Sequence, residues 1–333
     1  MALFGVGGLR ILKKFILVGA VGFLLTAWGG CQVPGFFPIE PSPEVAPTTH
    51  IFVISIDGLR PDALKVANTP HIDKLREQGA FTPRAQTVLP SRTLPAHTSM
   101  LSGLKVEKHQ VETNTYHDEM GYFSFPTIFT KAKEQGLSTA FFANLHFFRF
   151  LANPRDVDKM EFPESERRAY KYIFRPLGER ATHHIRSSKP ALLFLHLAQV
   201  DGAGHAYGWM SKEQIDMVEV VDRQVGQVLE AVKAGGIWQN SYFIITADHG
   251  GHEKGHGTSL PEDMTIPWLI CGPNIKKGYE IEGQVHVYDT AATVLYILGI
   301  PIPEDWDGRP VIEAFEMPLS SEVGLLQKRC IEV

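Results

Sequence analysis

The sequence is poor in cysteine. Three in 333 residues (Cys31, Cys271 and Cys330) cannot hold a chain of this length together, so a disulfide-built scaffold is excluded. An excess of positive charge is lacking too. Thirty-two Lys and Arg stand against 37 Asp and Glu, a formal charge of −5, so a broad nucleic-acid-binding surface is excluded and no nucleic-acid partner is expected. Acidic residues are missing altogether before Glu40. No internal repeat is present. What remains is a globular composition, 44% hydrophobic and 21% charged, with length enough for one large domain or two modest ones. The unusual feature is a count of 14 histidines, which gain meaning from where they fall relative to the strands.

The acid-free start has an order. Arg10, Lys13 and Lys14 come first, an apolar run over 15–28 comes next, and Gly29-Gly30-Cys31 closes it. That is the order of a secretory signal. The run falls short of the roughly 20 apolar residues that a spanning helix needs. Small residues before Cys31 resemble a bacterial lipoprotein processing site, with Trp28 in place of the usual aliphatic residue. A cleaved signal and an uncleaved anchor are the alternatives. Pro34, Pro38, Pro41, Pro43 and Pro47 then make a semi-rigid tether. The expected organisation is a signal or anchor over 1–31, a proline-rich linker over 32–47 and a single domain over 48–333. The expected location is outside the cytoplasm, periplasmic or at the cell surface, tethered to the membrane through the N-terminal segment. Cys271 and Cys330 read as inert thiols.

Beyond the linker, continuous apolar runs rich in β-branched and aromatic residues recur at 51–56, 139–143, 191–197, 242–246 and 266–271. Such runs predict strands covered on both faces. Helical periodicity lies between them, clearest over 211–234. There Ser211 and Gln214 have capping-box spacing and Gly235-Gly236 stops the pattern. Alternating strands and helices predict an α/β fold with a mostly parallel sheet and helices on both faces.

In such sheets, ligands sit beyond the carboxyl ends of the strands. Asp57 ends the first run, Asp201 and His205 come after the third, and Asp248-His249 after the fourth. Asp57-Gly58 alone would be an ordinary turn. Asp201 and His205 stand four apart, and the small residues between them suggest a tight turn. The stretch from Asp248 to Gly257 carries three histidines among glycines, a poor core segment and a good ligand loop. Mixed carboxylate and imidazole donors suit zinc, with manganese or magnesium as alternatives. Thr93 opens a helix expected to run to about Ser102. By itself it would be an N-cap; beside a metal it is a candidate nucleophile.

Together these segments resemble the alkaline phosphatase superfamily, in its type I phosphodiesterase/nucleotide pyrophosphatase branch. The resemblance runs from about residue 50 to 312. Its motifs start at Phe52 and end at Asp57-Gly58-Leu59-Arg60-Pro61, then recur as Ser91-Arg92-Thr93-Leu94-Pro95-Ala96-His97, Val200-Asp201-Gly202-Ala203-Gly204-His205, Asp248-His249-Gly250-Gly251, Gly255-His256-Gly257 and Tyr288-Asp289 through Asp307-Gly308-Arg309-Pro310. It implies an alkaline phosphatase-like fold and two divalent metals, most commonly zinc. Asp57, Thr93, Asp248 and His249 would hold one; Asp201, His205 and His256 would hold the other, with His256 preferred over His252. It further implies Thr93 as nucleophile through a phosphothreonine, with Asn114 and the Leu94 N–H receiving a phosphoryl oxygen. Gln110 departs from the family's glycine upstream of Asn114.

The resemblance also weighs rivals. Sulfatases of the superfamily need a cysteine or serine where Thr93 stands and an arginine where His97 stands. The phosphomutase cousins carry inserted domains and usually work in the cytoplasm. A phosphomonoesterase remains the alternative, with Arg149 as its one candidate extra cation; a non-catalytic metal-binding surface protein is a more remote one. The expected partner is a phosphate ester or nucleotide-type small molecule. His97, His109, His117, His146, His183 and His184 are left as structural or exposed residues, and the phenylalanines at 141, 142, 147 and 148 as core.

Overall fold

Strand β1 (His50–Ile56) is buried along its whole length, and so are β5 (Leu192–Leu197) and β6 (Ser241–Thr246). A strand with no exposed face must lie inside a sheet covered on both sides. In this computed structural model, which describes residues 48–163 and 177–317, β1 is the centre of an eight-stranded sheet. The others are β2 (Ala80–Gln86), β3 (Thr139–Phe142), β4 (Lys159–Glu161), β7 (Thr265–Cys271) and β8 (Tyr279–Glu280), and the order is β4-β3-β5-β1-β6-β7-β2-β8. Seven strands run one way; β7 alone runs antiparallel to both its neighbours. The expected mostly parallel sheet is therefore present. The segments expected over 1–31 and 32–47, Cys330 and the end of the chain lie outside the described residues.

Two groups of helices flank the sheet. Lys212–Ala234 packs against Pro70–Gln78, Leu177–Ser188 and Gln199–Tyr207; Thr93–Ser102, Ile128–Glu134 and Asp289–Ile297 pack on one another. Ser211 caps the long helix by accepting from the Gln214 N–H at 3.3 Å, and the helix stops at Gly235. Gln214 completes no box: its Oε1 accepts from the Met210 N–H at 2.6 Å. Phe52 stacks on Phe243 across β1 and β6 with centroids 5.3 Å apart. Each such ring, fully buried, contributes roughly 1.5–3 kcal/mol. Phe141, Phe142 and Phe148 are core as expected, and Cys271 is a buried free thiol. No helix among the described residues is long and apolar enough to cross a membrane.

The sheet places the chemistry. Parallel β1, β5 and β6 end on the same edge, so Asp57, the helix Gln199–Tyr207 and Asp248-His249 emerge side by side. Because β7 is reversed, the chain after β6 returns to the sheet from that same edge. The loop carrying His249, His252 and His256 therefore stays over it.

Candidate metal centre and active site

Asp57, Asp248 and His249 are fully buried, and Thr93 is 3% exposed. Thr93 is the first residue of its helix and Arg92 is the N-cap, so the threonine hydroxyl is not spent on capping. Its Oγ1 instead lies 3.3 Å from His249 Nε2. The same nitrogen is 3.3 Å from Asp57 Oδ1 and 3.2 Å from Asp248 Oδ2. Asp201 Oδ1 lies 3.4 Å from His205 Nε2 and 3.6 Å from His256 Nε2. All seven residues singled out from the sequence as ligands thus converge at one edge. Their donor atoms form two overlapping groups, Asp201 with His205 and His256, and Asp57 with Asp201 and His249, each within 4.8 Å.

Two further facts say what the cluster is for. First, the three histidines share one tautomer. His249 Nδ1 donates to the Gly250 carbonyl (2.8 Å), His205 Nδ1 to Lys254 (2.9 Å) and His256 Nδ1 to Ser91 (2.9 Å). A carbonyl can only accept, so each Nδ1 carries the proton and each Nε2 presents a lone pair to the carboxylates. That is how metal-binding imidazoles are oriented. Second, Asp57 Oδ1, Asp201 Oδ1 and Asp248 Oδ2 are buried without a hydrogen-bond partner. Each such oxygen costs roughly 1–3 kcal/mol, more when charged, and three together would consume much of a domain's stability. Burial, then Asp248 and Asp201, push the Asp57 carboxyl well above the usual range, and burial lifts Asp201 to about 6. Burial and His249 lower His256 to about 4, which keeps it neutral. The donor set fits divalent cations and fits a plain ion-pair network poorly.

Asn114 Oδ1 accepts from the Leu94 N–H at 2.8 Å. That amide hydrogen, expected to receive a phosphoryl oxygen, is therefore engaged, and Asn114 Nδ2 is the donor left over. The Asp201–His205 pair is not on a tight turn: both belong to the helix Gln199–Tyr207, one helical turn apart. The small residue Gly204 serves packing instead, since a Cβ there would meet the Trp209 ring at 2.8 Å. Trp209 Nε1 donates to the Gly58 carbonyl (2.9 Å), and its ring stands edge-on to His205 with centroids 5.3 Å apart. At Gly251 the same ring leaves less room, 2.2 Å. Gly251→Ala is expected to lose roughly 1–3 kcal/mol from overpacking, read as a Tm drop of several degrees.

His252 turns away from the cluster. Its Nδ1 lies 2.7 Å from Asp263 Oδ1, while Asp263 Oδ2 accepts from the Thr258 N–H and hydroxyl. This buried aspartate pins the loop that carries His256. His97, expected to be structural or exposed, is structural: it is fully buried beneath the site, bonded to the Thr93 carbonyl (2.7 Å) and Ser55 Oγ (2.8 Å). His196 sits beside it on β5, bonded to Asp57 Oδ2 at 2.9 Å. Sequence reasoning passed over His196, although an imidazole inside an otherwise apolar run was a signal.

The family model for type I phosphodiesterase / nucleotide pyrophosphatase matches residues 51–254. The chain belongs to this family. Among curated relatives, a human bis(5'-adenosyl)-triphosphatase, ENPP4, is 26% identical over 212 residues, 60% of this chain and 47% of its own length. A GPI ethanolamine phosphate transferase 1 of Neurospora crassa is 25% identical over 340 residues, 84% of this chain and 32% of its own. The chain thus spans about half the length, or less, of these relatives. Among solved structures, murine ENPP5 in an inactive threonine-to-alanine form in complex with AMP superposes with a TM-score of 0.65 at 15% identity, covering 82% of this chain and all of that one. This likeness is one of fold.

Proposed function

We propose that the protein is a metal-dependent phosphohydrolase that cleaves phosphodiester or pyrophosphate bonds of nucleotide-type substrates through a phosphothreonine on Thr93. The observation that carries this is the Thr93 hydroxyl, uncapped and 3.3 Å from His249 Nε2, amid three unpartnered carboxylate oxygens. Asp57, Thr93, Asp248 and His249 would hold one divalent ion and Asp201, His205 and His256 the other, zinc being favoured by the imidazole share. Such a pair supplies the charge that stabilises attacking and leaving oxygens. Thr93 Oγ1 forms a bond to phosphorus as the bond to the leaving oxygen breaks, and the departing alcohol or phosphate takes up a proton. Water then attacks the same phosphorus as the bond from phosphorus to Oγ1 breaks, its hydroxyl stays on phosphorus, and its other proton goes to Oγ1. The helix that begins at Thr93 points its positive end at this charge. Asn114 Nδ2 donates to a non-bridging oxygen, and Asn114→Ala is expected to lower kcat roughly 10²-fold with zinc content unchanged, by steady-state kinetics and metal analysis.

The deciding assay compares a nitrophenyl nucleotide diester with nitrophenyl phosphate. A faster diester rate is expected; a dominant monoesterase rate would overturn the preference for diesters. A second reading has one observation in its favour, the longer match to the ethanolamine phosphate transferase. There an alcohol, not water, would take the phosphoryl group from Thr93, and product analysis with added alcohol separates the two. The acid-free start supports an exported, membrane-tethered protein. Cys31→Ser should release a lipoprotein from the membrane fraction and leave an uncleaved anchor in it.

A further inference from the structure

We propose that His196 is a positioning residue that fixes Asp57 so that a single oxygen, Oδ1, faces the metal site; the inference rests on the two-metal function proposed above. The strand β5 reads Leu192-Leu193-Phe194-Leu195-His196-Leu197 and is buried throughout. By the sheet register His196 lies beside Ser55, two residues before Asp57. Its Nε2 is 2.9 Å from Asp57 Oδ2, and a carboxylate accepts, so Nε2 carries the proton. Its Nδ1 has no hydrogen-bond partner. Phe148 packs on the ring at 4.5 Å and His97 at 5.0 Å. His97 cannot substitute, because both its nitrogens are engaged, by the Thr93 carbonyl and Ser55 Oγ.

An imidazole with one bare nitrogen is a costly way to fill an aromatic pocket. What the imidazole contributes is a constraint on the carboxylate. With Oδ2 held, Asp57 cannot rotate about its terminal torsion, and Oδ1 stays 3.3 Å from His249 Nε2 with no hydrogen bond of its own. Partners of this kind change metal affinity by about 10- to 100-fold.

The test titrates metal-free full-length protein with zinc against a chromophoric chelator, and melts the metal-free forms alongside. His196→Leu is expected to weaken one of the two zinc ions by about 10- to 100-fold and leave the other unchanged. Metal-free His196→Leu should also melt lower than the parent, because buried Asp57 Oδ2 loses its donor. His196→Gln, whose amide nitrogen reaches the place of imidazole Nε2, should regain most of the affinity. A merely structural histidine would lower the melting point with zinc affinity unchanged, and that result would overturn the inference. So would a Gln variant as defective as Leu. A parent protein that binds no zinc would instead overturn the proposed function, and the role of His196 with it.

Discussion

Replacing Thr93 by alanine is expected to lower turnover by at least about 10⁴-fold while zinc uptake and folding persist. The hydroxyl is the one alcohol in the cluster, and the substitution removes little else. Thr93 occupies the first position of its helix, where alanine is well tolerated, and its side chain caps nothing. The aspartates and imidazoles keep their mutual distances, because His249, His256 and His205 are anchored by backbone carbonyls rather than by Thr93. Single-turnover kinetics with parallel metal analysis measures both halves of the expectation. A variant that retains full activity would remove Thr93 as nucleophile and leave water as the direct attacker. Thr93→Ser, which keeps an oxygen on Cβ, should retain a measurable fraction of the rate.

Stripping zinc from the protein is expected to lower its melting temperature by roughly 10 °C at pH 7, the second large effect. Zinc at about 1,000 times its Kd stabilises by about 4 kcal/mol, and each kcal/mol moves a domain of this size by about 2–4 °C. The sign of its pH dependence is set by the carboxylates. Burial raises Asp57 well above its ordinary value and Asp201 to about 6. A raised carboxyl pKa means that the folded, metal-free state holds its protons more tightly than the unfolded chain. These two carboxyls therefore give the metal-free state a contribution that is lost as pH rises from near 4, the unfolded value, through about 6. Zinc replaces those protons as compensating charge, so the gap between loaded and stripped melting curves should widen from pH 5 to pH 7. His256, lowered to about 4, is neutral above pH 5 with or without zinc and leaves the gap unchanged. Calorimetry with and without chelator measures it. A gap that is absent at both values would mean that these oxygens never meet a cation.

The ligands were legible because of where they stand. Asp57, Asp201 and Asp248 each come after a strand that announces itself as a continuous apolar run, and a parallel sheet sends all those ends to one edge. What was hidden lacks such a run. Strand β2 contains Pro83 and Arg84, alternates between buried and exposed, and slips register between Thr82 and Ala85, so it reads as loop. The reversal of β7 leaves no trace in Thr265–Cys271, since an apolar run carries no direction. The helical rather than turned Asp201–His205 segment was masked by its glycines, whose smallness answers to a ring, Trp209, outside the motif. His97 and His196 act through partners 42 and 139 residues away, a relation that no local pattern encodes.

The position of β1 also bears on how the chain is made. Its partners are β5, beginning at Leu192, and β6, beginning at Ser241, so the strand at the middle of the sheet is synthesised well before either of the strands it pairs with. During that interval Ile51, Phe52, Val53 and Ile54 form an uncharged, β-prone stretch with nothing native to pair with, the kind of segment that seeds aggregation. Asp57 reaches Asp248 only when this long-range closure is complete. Recovery of zinc-binding capacity during refolding would then mark the arrival of β1, and a chaperone that shields the first strand should raise the yield of active protein more than one acting on later segments.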